Sequence, residues 1–191
     1  MIIPLVGPSC AGKSLLLANL RRERPEIQPL ESVTTRPRRP SDTTPGEYLF
    51  VDDEEFERLG VNGEFLWVVH PHNLPYRYGT RKKAVEDALD RGLYAPILIL
   101  EAVEKLYAFA GEKGLRDGVC PIYLHIDDEN ELRRRFIERG DTDTADVERR
   151  VLNSRNENAQ AQRVSGMHRI DATQTPEQIL KEALAFVRLL K

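Results

Sequence analysis

The sequence predicts an α/β fold, because apolar segments typical of buried strands alternate along the chain with segments whose apolar residues have helical spacing. The first strand, at residues 2–6, runs directly into a glycine-rich loop, and leucines at helical spacing follow that loop. At 191 residues the chain is expected to form one domain with a substantial core. The alternation therefore predicts the fold class, and the loop marks its first strand–loop–helix unit.

The loop matches the pattern G-x-x-x-x-G-K-[ST] at every fixed position. Its residues are Gly7, Pro8, Ser9, Cys10, Ala11, Gly12, Lys13 and Ser14. The glycines let successive backbone N–H groups point at phosphate oxygens, where the N-terminus of the next helix adds its positive dipole end. We expect Lys13 to reach the β- and γ-phosphates and the Ser14 hydroxyl to hold Mg²⁺. The loop therefore predicts that ATP and Mg²⁺ are bound.

Composition narrows the classes of function. Charged residues make up 31% and hydrophobic residues 40% of the chain, as in ordinary soluble proteins, and no apolar run approaches the length of a membrane span. The N-terminus lacks the basic residues of a signal peptide, so we expect a cytoplasmic protein. Cys10 and Cys120 suit a reducing compartment and lack metal-ligand spacing. The net charge of -3 argues against nucleic-acid binding and favours a small-molecule substrate, while no motif indicates an oligomeric state.

Residues 27–34 predict a second strand, which runs into three arginines flanked by prolines: Arg36, Arg38 and Arg39. The prolines stiffen the segment, and the planar guanidinium fork matches phosphate oxygens well. We interpret the cluster as a phosphate-binding loop, and the alternative is a solvated basic loop. An edge strand at residues 46–51 and a capped helix start at residues 52–59 follow it.

The second half of the chain supplies the rest of the α/β pattern. Buried strands are predicted at residues 94–101, 119–126 and 167–171. Helices are predicted at residues 84–91, from residues 127–130 into an arginine-rich turn at 133–140, at 145–151, and from the Thr175 cap to residue 190. Pro4, Pro96 and Pro121 fall inside predicted strands, where proline is unfavourable unless it begins the strand.

The order of these motifs resembles guanylate kinase. The resemblance runs from GPSCAGKS through SVTTRPRRP, GEYLFVDDEEFERL, GEFL and YGT to RGDTDTADVERR, which covers residues 2 to about 151. It implies a P-loop kinase that moves the γ-phosphoryl group of ATP to GMP. The implied single domain, residues 1–191, has a central parallel five-stranded sheet flanked by helices (residues 1–31, 81–134 and 151–191). To this core are added a small mixed β acceptor-binding insertion at about residues 32–80 and a helical lid at about 135–150.

The resemblance also implies roles for individual residues. Ser32 and Thr80 match the family's contacts to guanine O6. The acceptor phosphate is expected at Arg36, Arg39, Tyr48 and Tyr78. The lid arginines of the family coincide with Arg135, Arg139 and Arg150, which would stabilise charge on the transferring phosphoryl group. The alternative is an exposed helix carrying Arg/Glu pairs, which suits Arg133 and Arg149.

The sequence departs from the family where the base would be read. Trp67 stands where the family has a glutamate that contacts guanine N1 and N2, and Ile99 stands at the first of two strand acids. Only the second acid, Glu101, is kept, and the resemblance implies that it lies near the purine amine. Its alternative role is a helix N-terminal carboxylate favoured by the dipole. The segment up to Tyr78 is about two residues longer than in the family. His70 and His72 lie in this segment without a third metal ligand nearby, and no role is predicted for them.

Three functions are therefore compared. The first is a kinase of the guanylate kinase type, in which an ATP–Mg²⁺ donor phosphorylates a nucleoside monophosphate. An alternative is a sugar-phosphate kinase such as ribose 1,5-bisphosphate phosphokinase, whose acceptor has no base. A third is a non-catalytic guanylate kinase-like binding module. Such modules typically have degraded phosphate loops, whereas the loop here is intact.

Overall fold

The computed structural model describes residues 1–38, 42, 45–70, 75–141 and 143–190. Over these residues the chain alternates between short strands and longer helices. The strands are β1 (Leu5–Val6), β2 (Ile27–Gln28), β3 (Ser32–Thr34), β4 (Tyr48–Phe50), β5 (Phe65–Val69), β6 (Tyr78–Arg81), β7 (Leu93–Tyr94), β8 (Ile122–His125) and β9 (His168–Asp171). The helices are α1 (Lys13–Glu23), α2 (Asp53–Val61), α3 (Lys82–Asp90), α4 (Leu100–Glu112), α5 (Glu129–Glu138), α6 (Thr144–Ala161) and α7 (Pro176–Leu189).

The chain divides into two compact units. The insertion unit consists of Met1–Ile3 and Glu26–Val119, and the phosphate-loop unit consists of Pro4–Pro25 and Cys120–Lys191. Each unit has its own sheets and its own buried side chains, one sheet in the phosphate-loop unit and two in the insertion unit, so each unit is described by itself.

The phosphate-loop unit is built on a parallel sheet with the strand order β1-β8-β9. Helix α1 packs against α7, and α5 packs against α6. Fully buried apolar side chains come from the strands and from the inner faces of these helices, among them Val6, Leu20, Leu124, Phe136, Ile170 and Ala183. This arrangement fixes the loop between β1 and α1 at the end of the sheet.

The insertion unit contains a mixed four-stranded sheet with the order β4-β3-β6-β5. Strand β3 is parallel to β4 and antiparallel to β6, which is antiparallel to β5. One face of the sheet packs on α2 through Val33, Leu49 and Val68, against Phe56 and Leu59. A mixed β insertion was expected at this place.

The predicted α/β fold with parallel strands is confirmed, but several predicted strands are wrong in extent. The strands predicted at residues 2–6 and 119–126 are found only at Leu5–Val6 and Ile122–His125. Strand β7 ends at Tyr94, because Pro96 cannot donate to a ladder, and α4 begins at Leu100. The predicted strand at residues 27–34 is divided into β2 and β3 around Pro29. The expected five parallel strands accordingly fall into two sheets, β1-β8-β9 in one unit and β2-β7 in the other.

The remaining proline and cap predictions agree with the structure. Pro4 and Pro121 directly precede β1 and β8, so each stands before its strand begins. The Asp52 carboxylate caps α2 by accepting from the Glu55 N–H at 2.8 Å. Helix α7 begins with Pro176 after a capping box formed by Thr175 and Gln178. Within the described part of the chain, no helix is both long and apolar enough to cross a membrane.

Candidate functional site

The phosphate loop occupies the turn between β1 and α1, and two glycines give it its shape. Gly7 has φ 138°, and a Cβ there would overlap the backbone oxygen of Leu124 in β8, so a side chain would displace the loop from the sheet. Gly12 has φ 89° and caps α1 in the left-handed region. The Ala11 N–H donates to the Pro8 carbonyl at 3.3 Å, which closes the turn.

Cys10 is the one non-glycine residue with positive φ among those the structure describes, at 65°. A left-handed conformation is unfavourable for a residue with a Cβ, by roughly 1–2 kcal/mol. Burial raises the pKa of its thiol, while the charge of Arg139 acts in the opposite direction. The thiol therefore remains protonated at neutral pH, inside the loop.

Lys13 lies at the start of α1 and folds back onto the loop. Its Nζ donates to the carbonyls of Gly7 and Pro8, at 2.5 and 2.8 Å. Burial lowers the pKa of the ammonium, and the negative charge of Glu157 opposes that effect. The cation is thus held inside the loop, where phosphate oxygens are expected.

A cavity of about 450 Å³ opens above this loop. It is lined by Ser9, Cys10, Gly12, Lys13, Ser14, Leu15, Arg135, Glu138 and Arg139. Five of the eight predicted loop residues and two of the three predicted lid arginines therefore line one cavity. Ser14 is exposed in the first turn of α1, and its hydroxyl oxygen is a ligand that suits a hard cation such as Mg²⁺.

Arg135 connects the loop to the turn after β9. Its Nη1 donates to the Cys10 carbonyl at 3.2 Å and its Nη2 to the Ala172 carbonyl at 2.7 Å. Its Nε donates to Glu131 at 2.6 Å. Because three groups hold it, Arg135 forms a fixed wall of the cavity. Arg139, at the end of α5, and Arg150, in α6, both pair with Asp141.

A second cavity of about 250 Å³ lies on the other side of Arg135, and no sequence motif indicated it. It is lined by parts of α1, α5 and the segment from β9 into α7, including Leu16, Asn19, Arg135, Gln174 and Ile179. Apolar side chains, two side-chain amides and the charged groups of Arg134, Arg135 and Glu138 line this cavity, and apolar walls with a few polar groups suit a flat heterocyclic base.

In the insertion unit, the strand register places the predicted acceptor residues in two cross-strand rows. One row runs across the sheet through Tyr48, Ser32, Thr80 and Trp67. The other runs through Phe50, Thr34, Tyr78 and Val69. Paired residues on neighbouring strands share a face, and residues two apart along a strand do too. Ser32, Tyr48, Tyr78 and Thr80 therefore lie on one face, opposite the face that packs on α2.

Arg36 follows β3 and is held by a buried acid. Its side chain is 4% exposed and binds Asp42 through two parallel hydrogen bonds, both 2.7 Å long. Its Nη1 also donates to the Pro37 carbonyl, so three of the five guanidinium N–H groups are used. The guanidinium carbon lies 4.8 Å from the centroid of the Tyr48 ring. Burial raises the pKa of Tyr48 to about 12, which keeps its hydroxyl a donor at neutral pH.

The structure places the two positions predicted to face the acceptor base as follows. Trp67 is 4% exposed in β5, so it is a core residue at the end of the Ser32–Thr80 row. Glu101 lies in the first turn of α4 after Ile99, and its carboxylate pairs with Lys105 at 2.6 Å. That position fits the alternative of a helix N-terminal carboxylate. Arg39 and His72 lie outside the described residues, and no group of acids, histidines and cysteines within them could hold a metal.

Sequence reasoning missed three acids that hold the predicted arginines: Asp42, Glu131 and Asp141. The spacing of Glu131 and Arg135, four residues apart on one helix, is a signal that could have revealed their pair. Asp42 and Asp141 lie in loops, where no periodicity indicates which charge they meet.

Comparison with known proteins is consistent with this geometry. The sequence matches the family model described as Guanylate kinase over residues 1–171. It is 38% identical over 151 residues to the guanylate kinase of Streptomyces kasugaensis, covering 77% of this chain and 68% of that protein. It is also 38% identical over 155 residues to the guanylate kinase of Thermobifida fusca (strain YX), covering 79% and 74%. The crystal structure of guanylate kinase from Anaplasma phagocytophilum aligns with a TM-score of 0.64 at 25% identity, covering 99% of this chain and 85% of that one.

Proposed function

This chain belongs to the guanylate kinase family, and on that basis we propose that it moves the γ-phosphoryl group of ATP to a nucleoside monophosphate, with GMP as the expected acceptor. The observation that carries the proposal is that Lys13, Ser14 and Arg139 line the same cavity above an intact phosphate loop. A loop of this shape, with a cation inside it, is built for the phosphates of a nucleotide.

The donor site is proposed in the phosphate-loop unit. Backbone N–H groups of the loop between Ser9 and Ser14 and the Lys13 ammonium would bind the β- and γ-phosphates. The Ser14 hydroxyl would hold Mg²⁺, which neutralises phosphate charge when bound. The cavity beside Asn19 and Gln174 would take the donor base.

The arginines of α5 and α6 are proposed to stabilise the transferring group. Charge in the transition state spreads over the equatorial phosphoryl oxygens, and fixed N–H donors lower the barrier most when they are already in place. Residues 135–150 would act as the lid of one domain, and residues 32–80 as its acceptor-binding insertion. Arg135 would hold the wall of the cavity, because its donors already bind Glu131, Cys10 and Ala172.

The acceptor site is proposed on the sheet face that carries Ser32, Tyr48, Tyr78 and Thr80. Arg36 and the two tyrosine hydroxyls would bind the acceptor phosphate, together with Arg39. The ring centroids of Tyr48 and Tyr78 lie 6.4 Å apart, edge to face, which brings both phenols to the same part of the sheet. Ser32 and Thr80 are paired in register, so both hydroxyls could donate to one purine oxygen.

A second candidate function is a sugar-phosphate kinase of the ribose 1,5-bisphosphate type, and one observation favours it. The two cross-strand rows contain no carboxylate, and buried Trp67 ends the row at which a purine would be read. A non-catalytic binding module has no such support, because Lys13 and the loop glycines are all present.

A coupled assay of ADP release tests the proposal, with GMP, dGMP, AMP, IMP and ribose 1,5-bisphosphate as acceptors. GMP-dependent release of ADP is the expected result. Turnover of ribose 1,5-bisphosphate, but of none of the nucleotides, would instead establish the sugar-phosphate kinase. Binding of ATP without turnover of any acceptor would contradict both.

A further inference from the structure

Arg139 and Arg150 share one carboxylate. The Nη2 and Nε groups of Arg139 donate to Asp141 Oδ2, at 2.8 and 3.1 Å. The Nη1 group of Arg150 donates to the other oxygen, Oδ1, at 3.2 Å. Both guanidinium carbons lie 5.7 Å from the centroid of the Phe136 ring, which is fully buried. These four side chains form a cluster in the phosphate-loop unit, which we call the arginine bridge.

The two arginines differ in the number of carboxylates that hold them and in the exposed fraction of their side chains. Arg150 also forms an ion pair through Nη2 with Asp146 at 2.7 Å, so it is held by two carboxylates, and its side chain is 31% exposed. Arg139 pairs with Asp141 alone among the residues described, through its Nε and Nη2 groups. Its side chain is 51% exposed and lines the cavity above the phosphate loop. Arg139 is therefore the member of the arginine bridge equipped to contact a phosphate.

Asp141 links Arg150, which two carboxylates hold, to Arg139, which lines the cavity. A flexible arginine loses side-chain freedom when it binds a phosphate, unless something else already holds it in position. Both guanidinium groups lie over the Phe136 ring, and Asp141 accepts from both. The charges of Arg139, Asp141 and Arg150 all act on the Cys10 thiol, which shows that the cluster lies within electrostatic reach of the loop.

We propose that Asp141 is a positioning residue for phosphoryl transfer: it orients Arg139 over the phosphate loop. This inference rests on the proposed kinase function, from which it takes the reaction.

A double-mutant cycle on the full chain tests it, using Asp141→Asn, Arg139→Ala and the two together. Asp141→Asn keeps the shape and removes the charge, so kcat should fall about 10- to 100-fold, as for a misplaced catalytic group. The KM of the acceptor should stay within about twofold, because Arg139 lines the proposed donor cavity, whereas the KM for ATP should rise because a contact to its γ-phosphate is weakened. In the Arg139→Ala background, Asp141→Asn should cause no further loss. Asp141→Glu should restore part of kcat.

Glu148→Gln is the matched control. Glu148 joins α6 to α5 through Arg133, with bonds of 2.6 and 2.8 Å, and neither residue lines the cavity. This variant removes a comparable carboxylate–arginine pair, so its melting temperature should match that of Asp141→Asn while its kcat stays near wild type. Equal losses of kcat in the two variants, independent losses in the double variant, or a rise in kcat for Asp141→Asn would each overturn the inference.

A binding measurement separates this inference from the proposed function. Calorimetry with ADP and with a non-hydrolysable ATP analogue gives the preference for a γ-phosphate without any acceptor. Asp141→Asn and Arg139→Ala should both weaken that preference, and Glu148→Gln should not. If no acceptor is turned over, the proposed function fails, yet this comparison still decides the role of Asp141. An unchanged preference in Asp141→Asn would overturn that role.

Discussion

Arg36 and Asp42 form a bidentate ion pair in which both hydrogen bonds are 2.7 Å long and the side chains are only 4% and 9% exposed. The arginine expected to bind the acceptor phosphate is thus also a structural partner of a buried acid. Removing Arg36 alone leaves a buried carboxylate without its cation, which costs about 3–5 kcal/mol. We therefore predict that Arg36→Gln lowers the free energy of unfolding by that amount, measured in urea.

The double variant Arg36→Gln with Asp42→Asn separates stability from binding. It should recover most of the lost stability, because no unpaired charge is left buried. Its KM for the acceptor should nevertheless rise roughly ten- to hundredfold, the value of one charge-assisted hydrogen bond, while the KM for ATP stays unchanged. An unchanged acceptor KM in the double variant would make the pair purely structural.

Lys13 is predicted to be essential for turnover but not for folding. Lys13→Ala should lower kcat by about 10²–10³-fold or more, because it removes a cation preorganised for transition-state charge. The melting temperature should stay close to wild type, since the Nζ group binds only carbonyls of its own loop. Lys83→Ala is the control, because Lys83 is an exposed lysine paired with Asp87 on α3. If Lys13→Ala kept a near-normal kcat, the loop would not be the donor site.

Acid should destabilise the wall of the proposed donor cavity, because Glu131 holds Arg135 there and loses its charge when it is protonated. Arg134 and Arg135 donate to its carboxylate and lower its pKa from 4.5 to about 2. Between these values the unfolded chain binds the proton and the folded protein does not, so stability falls as pH falls. We predict that Glu131→Gln is less stable than wild type at pH 7 and that the difference shrinks below about pH 4.5. Urea unfolding at pH 7, 5 and 3.5 measures it, and a difference independent of pH would exclude the charge as its cause.

Cys10 offers a chemical probe of the same loop. Because burial raises its pKa, its thiolate fraction at pH 7 is smaller than that of a free cysteine, and alkylation should be slow and accelerate with rising pH. ATP should slow it further, since Cys10 lines the proposed donor cavity. Peptide mapping after N-ethylmaleimide treatment measures the rate, with Cys120 as the internal reference. Equal protection of both cysteines would show a general effect and not occupancy of the loop.

What the sequence could predict depended on how local each feature is. The phosphate loop and the caps at Asp52 and Thr175 lie within a few consecutive residues, so their chemistry can be read directly. The place of Trp67 beside Thr80 depends on the pairing of β5 with β6, which includes an irregularity between Phe65 and Trp67 that no pattern indicates. The Arg36–Asp42 pair likewise depends on how one loop folds.

The last prediction concerns the acceptor and rests on the row formed by Ser32, Thr80 and Trp67. Two hydroxyls in that row can donate to a purine O6, but neither cross-strand row offers a carboxylate to accept from N1–H and the exocyclic amine. Glu101 is engaged by Lys105 instead.

One lost charged hydrogen bond costs about 1.5–3 kcal/mol, or roughly ten- to a hundredfold in discrimination. GMP and IMP differ only at the amine, so their kcat/KM values should lie within about tenfold of each other. AMP should be used less well than either, because its 6-amino group cannot accept from Ser32 and Thr80. Ser32→Ala should narrow the difference in kcat/KM between AMP and the other two nucleotides and leave the GMP-to-IMP ratio unchanged. A preference for GMP over IMP of a hundredfold or more would mean that another acceptor group reads the amine, and Trp67 would then not have cost the site its selectivity.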